Sequence, residues 1–479
     1  MTSSNIWQLM EELRQGRTTS LELVETYVQN ISAANSKVNA ISQLRLDEAR
    51  REAEASDAAR ARGQALGALA GIPCTVKEAF HVAGLRSTAG AKHLEDNLVE
   101  EDAPVVAKLK HAGAIVLGKT NIPAMTADWQ TYNDIFGITR NPWNMDCTAG
   151  GSSGGSAVAV ASNMTAFDIG SDLCGCLRIP AHFCGVYAHR PSYGLTSVRG
   201  HIPGDPASVV EPDLCVSGPL ARSARDLTLI MQVMLDPWIE APEFKPSVDR
   251  ERPLRVLVWL EAPAHKTDSV MREHIKEMLG RIEPTAHVEL VYGAPAEFDL
   301  DEIIDLTMVL TGRLMSTASS PIGRMASAVN ALGLKLFNSK DKRADYAWSI
   351  AKGQIGADRV DRDRAEVNER VNAFFDRFDL LVMPVAPVCA FEHDFRPSNK
   401  RTFDVDGRPI AYNELMVWNA LASVFGLPST IIPLGTGDNG LPVGIQAIAK
   451  RFNDITSLDF AERVEAVLPA SPAPKEFLL

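Results

Sequence analysis

The N-terminal part of the chain carries apolar side chains at helical spacing, separated by polar positions. Such residues recur every three or four positions near the start, at Ile6, Leu9, Met10 and Leu13. This spacing puts them on one face of an amphipathic helix. Thr19 or Ser20 precedes a second pattern of this kind and has a hydroxyl suited to an N-cap, with Glu22 in the first turn. The pattern predicts two or three scaffold helices between Ile6 and Arg62.

Short apolar runs alternate with helical stretches over Ala70–Leu235. Ile72–Val76 and Ala114–Leu117 have the length and character of buried strands, whereas Ala103–His111 has a helical pattern. Strands alternating with helices are typical of a layered α/β sheet. Further along, the pattern predicts a proline-rich linker (Pro237–Pro253), a strand (Leu254–Leu260) and an amphipathic helix (Val270–Ile282). It then predicts a long helical region (Asp299–Asp379) and two segments that return to the core (Leu380–Val385 and Trp418–Leu434).

Composition narrows the class of protein. Hydrophobic residues make up 46% and charged residues 23% of the 479 positions, which is ordinary for a globular protein with a buried core. The net charge of -12 argues against binding to nucleic acid or to a membrane surface, since both favour clustered Lys and Arg. The longest apolar run, around Ser156–Ala161, falls far short of the roughly 20 residues that span a bilayer. Met1–Met10 lacks a secretory pattern and the seven cysteines lack a framework spacing, so free thiols in a reducing cytoplasm are expected.

A glycine-rich turn is the most informative feature of the stretch from Thr148 to Pro191. Four glycines surround two serines, at Gly150, Gly151, Ser152, Ser153, Gly154 and Gly155. Glycine adopts backbone conformations that other residues avoid, which suits a tight functional turn. The small residues of Ser156–Ala161 then predict a buried helix whose first N–H groups point back towards the serines.

A second turn, Asp172–Cys176, follows the apolar segment Ala166–Ile169 and carries a thiol. Two turns that each end a strand and open a helix can aim a hydroxyl and a thiol at one point beside backbone N–H groups, which supports acyl transfer. The reaction also needs a proton acceptor, and Lys77 lies at the end of an apolar strand. Burial would favour its neutral form, and strand alternation directs Glu78 to the opposite side.

Lys77, Ser152 and Cys176, at intervals of 75 and 24 residues, resemble the catalytic triad of the amidase signature family of amide hydrolases. The resemblance extends over almost the whole chain, through Gly118–Asn121, Asn141–Trp143, Ser217–Leu220 and Gly440–Gln446. It implies an α/β three-layer sandwich, in which helices cover both sides of a mixed, twisted central sheet. It further implies a single domain over residues 1–479, divided into N-terminal helices (1–62), the signature core (63–235), a variable substrate-shaping region (236–400) and a return to the core (401–479).

The resemblance also implies a role for each site residue. Ser152, in a cis peptide, would relay a proton from the nucleophile to Lys77. Cys176 stands where the family carries a serine nucleophile and would form a thioester acyl-enzyme. The N–H groups expected to hold the oxyanion are those of Leu173, Cys174, Gly175 and Cys176. Asp172 and Arg178 are expected to pair and hold the turn. The expected substrate contacts are Met125, Thr126, Trp129 and Ser153.

The function implied is hydrolysis of a small amide, ester or carbamate, without metal or organic cofactor and with at most a second copy of the chain as partner. A thiolate leaves more readily than an amine, so an amide adduct on Cys176 tends to return to substrate and amide hydrolysis is predicted to be weak. Two alternatives remain: an acyl-trapping or impaired variant that binds substrate without turnover, and the glutaminase subunit of a tRNA-dependent amidotransferase. A zinc module built on Cys174, Cys176, His182 and Cys184 is disfavoured because the paired Cys-x2-Cys spacing is missing. A Cys174–Cys176 disulfide would have poor geometry, and His182 would face away from Cys176.

Overall fold

The computed structural model describes residues 5–202, 211–235, 252–317, 324–328, 331–332, 342–353, 355, 357–468 and 474. The predicted proline-rich linker Pro237–Pro253 lies outside the described residues up to position 251. Within the described residues, no helix is both long and apolar enough to cross a bilayer.

One mixed sheet of eleven strands forms the centre of the molecule, and four further strands of the described residues form two separate two-stranded sheets. In chain order the strands are β1 (Ile41–Leu44), β2 (Pro73–Lys77), β3 (Ile115–Thr120), β4 (Tyr132–Asn133), β5 (Gly137–Ile138), β6 (Phe167–Asp172), β7 (Tyr187–Arg190), β8 (Val216–Ala221), β9 (Leu254–Val258), β10 (Val288–Tyr292), β11 (Leu380–Pro384), β12 (Thr402–Val405), β13 (Arg408–Ala411), β14 (Ser429–Thr436) and β15 (Pro442–Ala449). The central sheet has the order β1-β3-β2-β6-β8-β7-β14-β15-β11-β9-β10, while β4 pairs with β5 and β12 with β13. Its parallel pairs are β3-β2-β6 at one end and β11-β9-β10 at the other, and the strands between them pair antiparallel.

Helices cover both faces of this sheet. They are α1 (Ile6–Arg14), α2 (Ser20–Val38), α3 (Leu46–Ala61), α4 (Pro104–His111), α5 (Gly154–Ala161), α6 (Arg178–Cys184), α7 (Ala224–Met234), α8 (Ser269–Ile282), α9 (Leu300–Thr317), α10 (Lys342–Lys352), α11 (Ala357–Phe375), α12 (Ala420–Val424) and α13 (Asp454–Val467). Leu380 and Val382 of β11 pack into one apolar cluster, and Leu381 and Met383 into another. Because successive strand residues face opposite sides, the two clusters lie on opposite faces of the sheet. The predicted three-layer α/β architecture is confirmed.

The N-terminal region departs from the predicted all-helical pattern. Thr19 caps α2, and its side chain accepts from the N–H of Glu22 as expected. Ile41–Leu44, however, forms the edge strand β1, antiparallel to β3. Four residues are too few to show strand periodicity, and the pairing depends on the backbone of β3, which is distant in sequence.

The parallel pairing of β2 with β6 positions the site. Parallel strands end at the same edge of a sheet, and chemistry in such folds collects beyond those carboxyl ends. Lys77 is the last residue of β2 and Asp172 the last of β6. The turns that carry the hydroxyl and the thiol therefore meet at one edge.

Candidate active site

Lys77 is completely buried, and its ammonium is surrounded by serine hydroxyls. Nζ donates to Oγ of Ser152 at 2.7 Å, to Oγ of Ser171 at 2.8 Å and to Oγ of Ser153 at 2.9 Å. An ammonium has three donors, so these contacts satisfy all of them. The buried amine is thereby fixed without a hydrogen-bonded carboxylate.

Burial lowers the pKa of Lys77 to about 8, against the charges of Cys176, Cys215 and Asp172, which act to raise it. Glu78, the next residue, does not contact the amine. Its Oε1 accepts from the N–H and hydroxyl of Thr88, at 2.6 and 2.9 Å. About one Lys77 side chain in ten is therefore neutral at pH 7, and a general base must be neutral to accept a proton.

The glycine loop packs too tightly for side chains. A Cβ on Gly151 would lie 2.5 Å from the carbonyl oxygen of Asp128, and one on Gly155 would lie 2.4 Å from the backbone nitrogen of Asn121. The Gly151–Ser152 peptide is cis. The loop opens α5, whose residues are all buried, but no strand precedes it, because Thr148 forms only an isolated bridge. The prediction that both turns end a strand is thus wrong for the first turn and right for the second.

Asp172 organises the second turn. Its carboxylate accepts from the N–H groups of Gly175 at 3.0 Å and Leu177 at 3.1 Å, and it pairs with Arg178 at 3.0 Å. Arg190 also donates to it, at 3.2 Å. Burial alone would raise the pKa of Asp172, but the two guanidinium groups outweigh burial and hold the pKa well below its ordinary value. The carboxylate therefore stays charged and holds the turn in shape.

The same contacts correct the expected oxyanion donors. The N–H of Gly175 is already used by Asp172, so it is not available to an oxyanion. Within the described part of the chain, the N–H groups of Leu173, Cys174 and Cys176 have no hydrogen-bond acceptor. Three of the four predicted donors are therefore free to hold a developing negative charge.

Cys176 is half-buried and connects the two turns through its backbone. Its carbonyl accepts from the N–H of Ser153 at 3.0 Å. Within the described residues its thiol makes no hydrogen bond, to Ser152 or to any other group. Hydrogen bonds between a nucleophile and its base commonly tighten only with substrate in place, so this geometry is compatible with a relay through Ser152.

The four expected substrate contacts separate into two groups. Met125 and Thr126 have φ values of 53° and 55° in a short turn, and Trp129 Nε1 donates to the carbonyl of Cys174 at 3.2 Å. All three are partly exposed, and of the three only Trp129 has a hydrogen bond to the nucleophile turn. Ser153 is fully buried against Lys77, so substrate cannot reach it. Ser153 is therefore reassigned from substrate contact to support of the lysine.

Several residues of the site escaped the sequence analysis. Ser171 contacts Lys77 and also lies 2.9 Å from Nε2 of His201. Arg401 donates to Asp128 and stacks near Tyr412, whose hydroxyl donates to the same carboxylate at 2.6 Å. The only signal for Ser171 is a polar residue at the end of a buried strand. No local pattern indicates the others.

The described residues give no geometric support to a catalytic His182 or to a zinc site near Cys176. His182 Nδ1 accepts from the N–H of Gly444 at 2.9 Å, and Nε2 lies 3.2 Å from the carbonyl of Val388. Burial lowers the pKa of His182 to about 4. The described residues contain no group of three His, Cys, Asp or Glu side chains placed to hold a metal, and their cysteines are free thiols.

Comparisons with known proteins agree with this geometry. A family model described as Amidase matches residues 22–458 of the chain. Fatty-acid amide hydrolase 2 from Homo sapiens is 28% identical over 492 residues, covering 98% of this chain and 90% of the relative. A glutamyl-tRNA(Gln) amidotransferase subunit from Moorella thermoacetica is 29% identical over 490 residues, covering 96% of this chain and 95% of the relative. A crystal structure of an amidase is similar with a TM-score of 0.78 at 25% identity, covering 97% of this chain and 100% of that chain.

Proposed function

The chain belongs to the amidase family, whose members hydrolyse amide C–N bonds, and from this premise we propose that Lys77, Ser152 and Cys176 perform the reaction here. The observation that carries the proposal is the fully buried Lys77 amine 2.7 Å from Ser152 Oγ, with the Cys176 turn beside it. A buried amine with no hydrogen-bonded carboxylate is costly to a fold and suits a general base.

Acylation begins with proton transfer. The thiol proton of Cys176 moves to Ser152 Oγ as the hydroxyl proton of Ser152 moves to the neutral amine of Lys77. The sulfur then attacks the amide carbon, and the N–H groups of Leu173, Cys174 and Cys176 stabilise the oxyanion. Collapse of the adduct breaks the C–N bond, and Lys77 returns its proton through Ser152 to the departing amine. The product is a thioester on Cys176.

Deacylation repeats the cycle with water. Lys77, through Ser152, takes a proton from the water that attacks the thioester, and the thiol leaves with that proton. The difficult step is the first one, because a thiolate is a better leaving group than an amine and the adduct tends to expel sulfur. The thiol therefore favours substrates that lose an alcohol, such as esters or carbamates cleaved at the C–O bond, over plain amides.

The substrate is proposed to be uncharged and largely apolar. Trp129 and Leu173 are partly buried and pack against the apolar cluster that includes α9 and α11. The carboxylate of Asp128, the residue before Trp129, is neutralised by Arg401, which donates to it at 2.6 Å. A substrate carboxylate that bound to Arg401 would have to displace Asp128, which is costly for a largely buried pair.

The test compares the chain with Cys176→Ser on a panel of neutral amides, aryl amides, esters and carbamates. Amine or alcohol release measures turnover, and intact mass measures the acyl group retained on residue 176. Amine or alcohol release by the cysteine chain itself, with an acyl adduct detected on residue 176 during turnover, supports the proposal. If neither form is acylated by any substrate class, the proposed nucleophile is wrong. Hydrolysis only with serine would identify the chain as the acyl-trapping alternative.

A glutaminase is the second candidate function, favoured by the similarity to the amidotransferase subunit. Besides its side-chain amide, glutamine carries a charged α-amino group and a charged α-carboxylate. This candidate therefore requires charged side chains that are free to bind those two groups. Ammonia release from glutamine by Cys176→Ser, above that from a neutral amide, would support it. Hydrolysis of neutral amides with no release from glutamine would exclude it.

We also propose that residues 1–479 form one domain. The support is a single sheet that takes strands from Ile41 through Ala449. Limited proteolysis followed by calorimetry tests this, since one domain should unfold in one transition.

A further inference from the structure

A second thiol, Cys215, leaves the sheet at the same edge as the nucleophile turn and has no part in the proposed reaction. It directly precedes β8, whose first residue, Val216, pairs with Asp172, the last residue of β6. Because these two strands are antiparallel, the chain that follows Asp172 and the chain that precedes Val216 emerge side by side. Cys215 therefore lies on the segment next to the turn that carries Cys176.

One guanidinium holds these two segments together. Arg190 donates to the backbone carbonyl of Asp172 at 2.7 Å and to the backbone carbonyl of Leu214 at 2.9 Å. All three residues are buried, and hydrogen bonds from an ionised donor are strong. The backbone just before Cys215 is thereby fixed against the start of the nucleophile turn.

Charge interactions indicate that the two thiols are neighbours of each other and of the amine. Burial raises the pKa of Cys215 to about 12, and a charge on Cys176 adds to that rise. Burial lowers the pKa of Lys77, and charges on Cys176 and Cys215 are the largest influences in the opposite direction. Such interactions weaken with distance, so Lys77, Cys176 and Cys215 form one cluster.

The surroundings of the thiols give them different reactivities. Cys176 is half-buried, and a small oxidant can reach it. A thiol with a raised pKa forms little of the reactive thiolate, so Cys215 is the slower of the two to be oxidised. Cys174 packs into the apolar cluster that includes α9 and α11, and a bond from it to Cys176 would close too short a loop. Cys215 is the better partner because it comes from a different strand.

We propose that Cys215 is a resolving thiol, which captures oxidised Cys176 as a disulfide. The oxidant is a hydroperoxide. The sulfur of Cys176 attacks the terminal oxygen, so that an S–O bond forms as the O–O bond breaks, and the thiol proton leaves with the departing oxygen. The sulfur of Cys215 then attacks the sulfenic acid. The S–S bond forms as the S–O bond breaks, and the hydroxyl group leaves as water with the thiol proton of Cys215. Two electrons pass from the two thiols to the peroxide.

The disulfide would protect the thiol at position 176. Without a resolving partner, a sulfenic acid is oxidised further to sulfinic and sulfonic acids, which thiols do not reduce. A disulfide is returned to two thiols by exchange with another thiol. The proposal goes beyond the proposed function, because the bond can form whether or not Cys176 attacks an acyl group.

Peptide mapping after exposure to hydrogen peroxide tests the proposal. Remaining thiols are blocked with N-ethylmaleimide, and tandem mass spectrometry of tryptic peptides separates Cys174 from Cys176. In the unchanged chain, Cys176 should be joined to Cys215, and dithiothreitol should release both as unmodified cysteines. In Cys215→Ala and Cys215→Ser, Cys176 should instead carry a sulfinic or sulfonic acid that dithiothreitol does not remove.

Cys389→Ala is the matched control. Cys389 is likewise partly exposed, and burial raises its pKa to about 12, but its neighbours are Asp268 and Asn439. This variant should form the Cys176–Cys215 bond as the unchanged chain does. The unchanged chain alone identifies the bond, so the test stands even where a Cys215 variant fails to fold.

Three results would overturn the proposal. They are a sulfinic acid on Cys176 of the unchanged chain without a bond to Cys215, a Cys174–Cys176 bond, and a Cys176 that dithiothreitol restores equally well in the Cys215 variants. Hydrolysis of p-nitrophenyl acetate by the same samples separates this proposal from the proposed function. A loss of hydrolysis that matches the fraction of disulfide and is reversed by dithiothreitol supports both. A Cys176–Cys215 bond with unchanged hydrolysis supports the resolving thiol and refutes Cys176 as the nucleophile.

Discussion

The pH dependence of hydrolysis is the most direct test of Lys77 as the base. The perturbation is a change of pH from 6 to 9 in the Cys176→Ser variant. The serine background is needed because a thiol is itself an ionising group and would add a second titration. A serine hydroxyl does not ionise in this range, so the base alone should control the profile.

The magnitude follows from burial. A lysine with a pKa of about 8 is neutral in about one molecule in ten at pH 7 and in about nine in ten at pH 9. The rate at low substrate should therefore rise about tenfold from pH 7 to pH 9 and fall about tenfold from pH 7 to pH 6. A lysine with its ordinary pKa would instead give a rise of about a hundredfold from pH 7 to pH 9, without levelling.

Amine release from a neutral aryl amide at substrate concentrations far below KM is the assay. Asp168 needs a control, because burial raises its pKa to about 6, against hydrogen bonds from Thr75 and other hydroxyls. In the Asp168→Asn variant of the same background, the rate should still rise with pH, with a midpoint slightly below pH 8. The midpoint falls because a charge that favours protonated Lys77 is removed. A flat profile, or one still rising steeply at pH 9, would refute the argument that burial makes Lys77 a neutral base.

Three further substitutions test the support around the base. Lys77→Met should lower kcat by about a hundredfold to ten-thousandfold in the serine background, which amine release measures. Arg178→Met should lower the free energy of unfolding by about 3–5 kcal/mol, because it breaks the buried pair with Asp172, and urea denaturation measures this loss. Trp129→Phe should lower kcat about fivefold, because the indole hydrogen bond to the Cys174 carbonyl contributes about 1 kcal/mol.

Matched substitutions elsewhere in the chain serve as controls. Arg51→Met removes an exposed pair with Glu48 and should cost less than about 1 kcal/mol. Trp143→Phe removes a similar indole hydrogen bond, to the Cys184 carbonyl at 2.9 Å, away from the nucleophile turn. If Arg178→Met costs no more than Arg51→Met, the pair does not hold the turn. If Trp143→Phe slows hydrolysis as much as Trp129→Phe, the effect is general loosening of the fold.

Much of the fold can be predicted from the sequence because its signals are local. Apolar runs of strand length are enough to predict β2 and β3, and Thr19 with Glu22 predicts the start of α2. The contact of Lys77 with Ser152 follows from motifs 75 residues apart. Strand β1 does not follow, because its four residues gain their hydrogen bonds from a strand distant in the chain.

The details of the site depend on competition between groups, which a linear pattern does not record. The motif predicts that Gly175 donates to an oxyanion, but the Asp172 carboxylate takes its N–H. Ser153 lies beside Ser152 in sequence yet faces Lys77 from a fully buried position. His201 reaches Ser171 only because its backbone bridges to Phe80, and no local pattern near residue 201 indicates this contact.

The Asp128–Arg401 pair links two regions that are 273 residues apart. Gly151, next to the serine relay, packs on the backbone of Asp128, while Arg401 directly precedes the hairpin of β12 and β13. The hairpin is therefore a place to introduce substitutions that alter the site without changing the proposed catalytic residues. Substitutions in that hairpin would shift Arg401 and, through Asp128, the backbone on which Gly151 packs, without replacing any residue of the proposed triad.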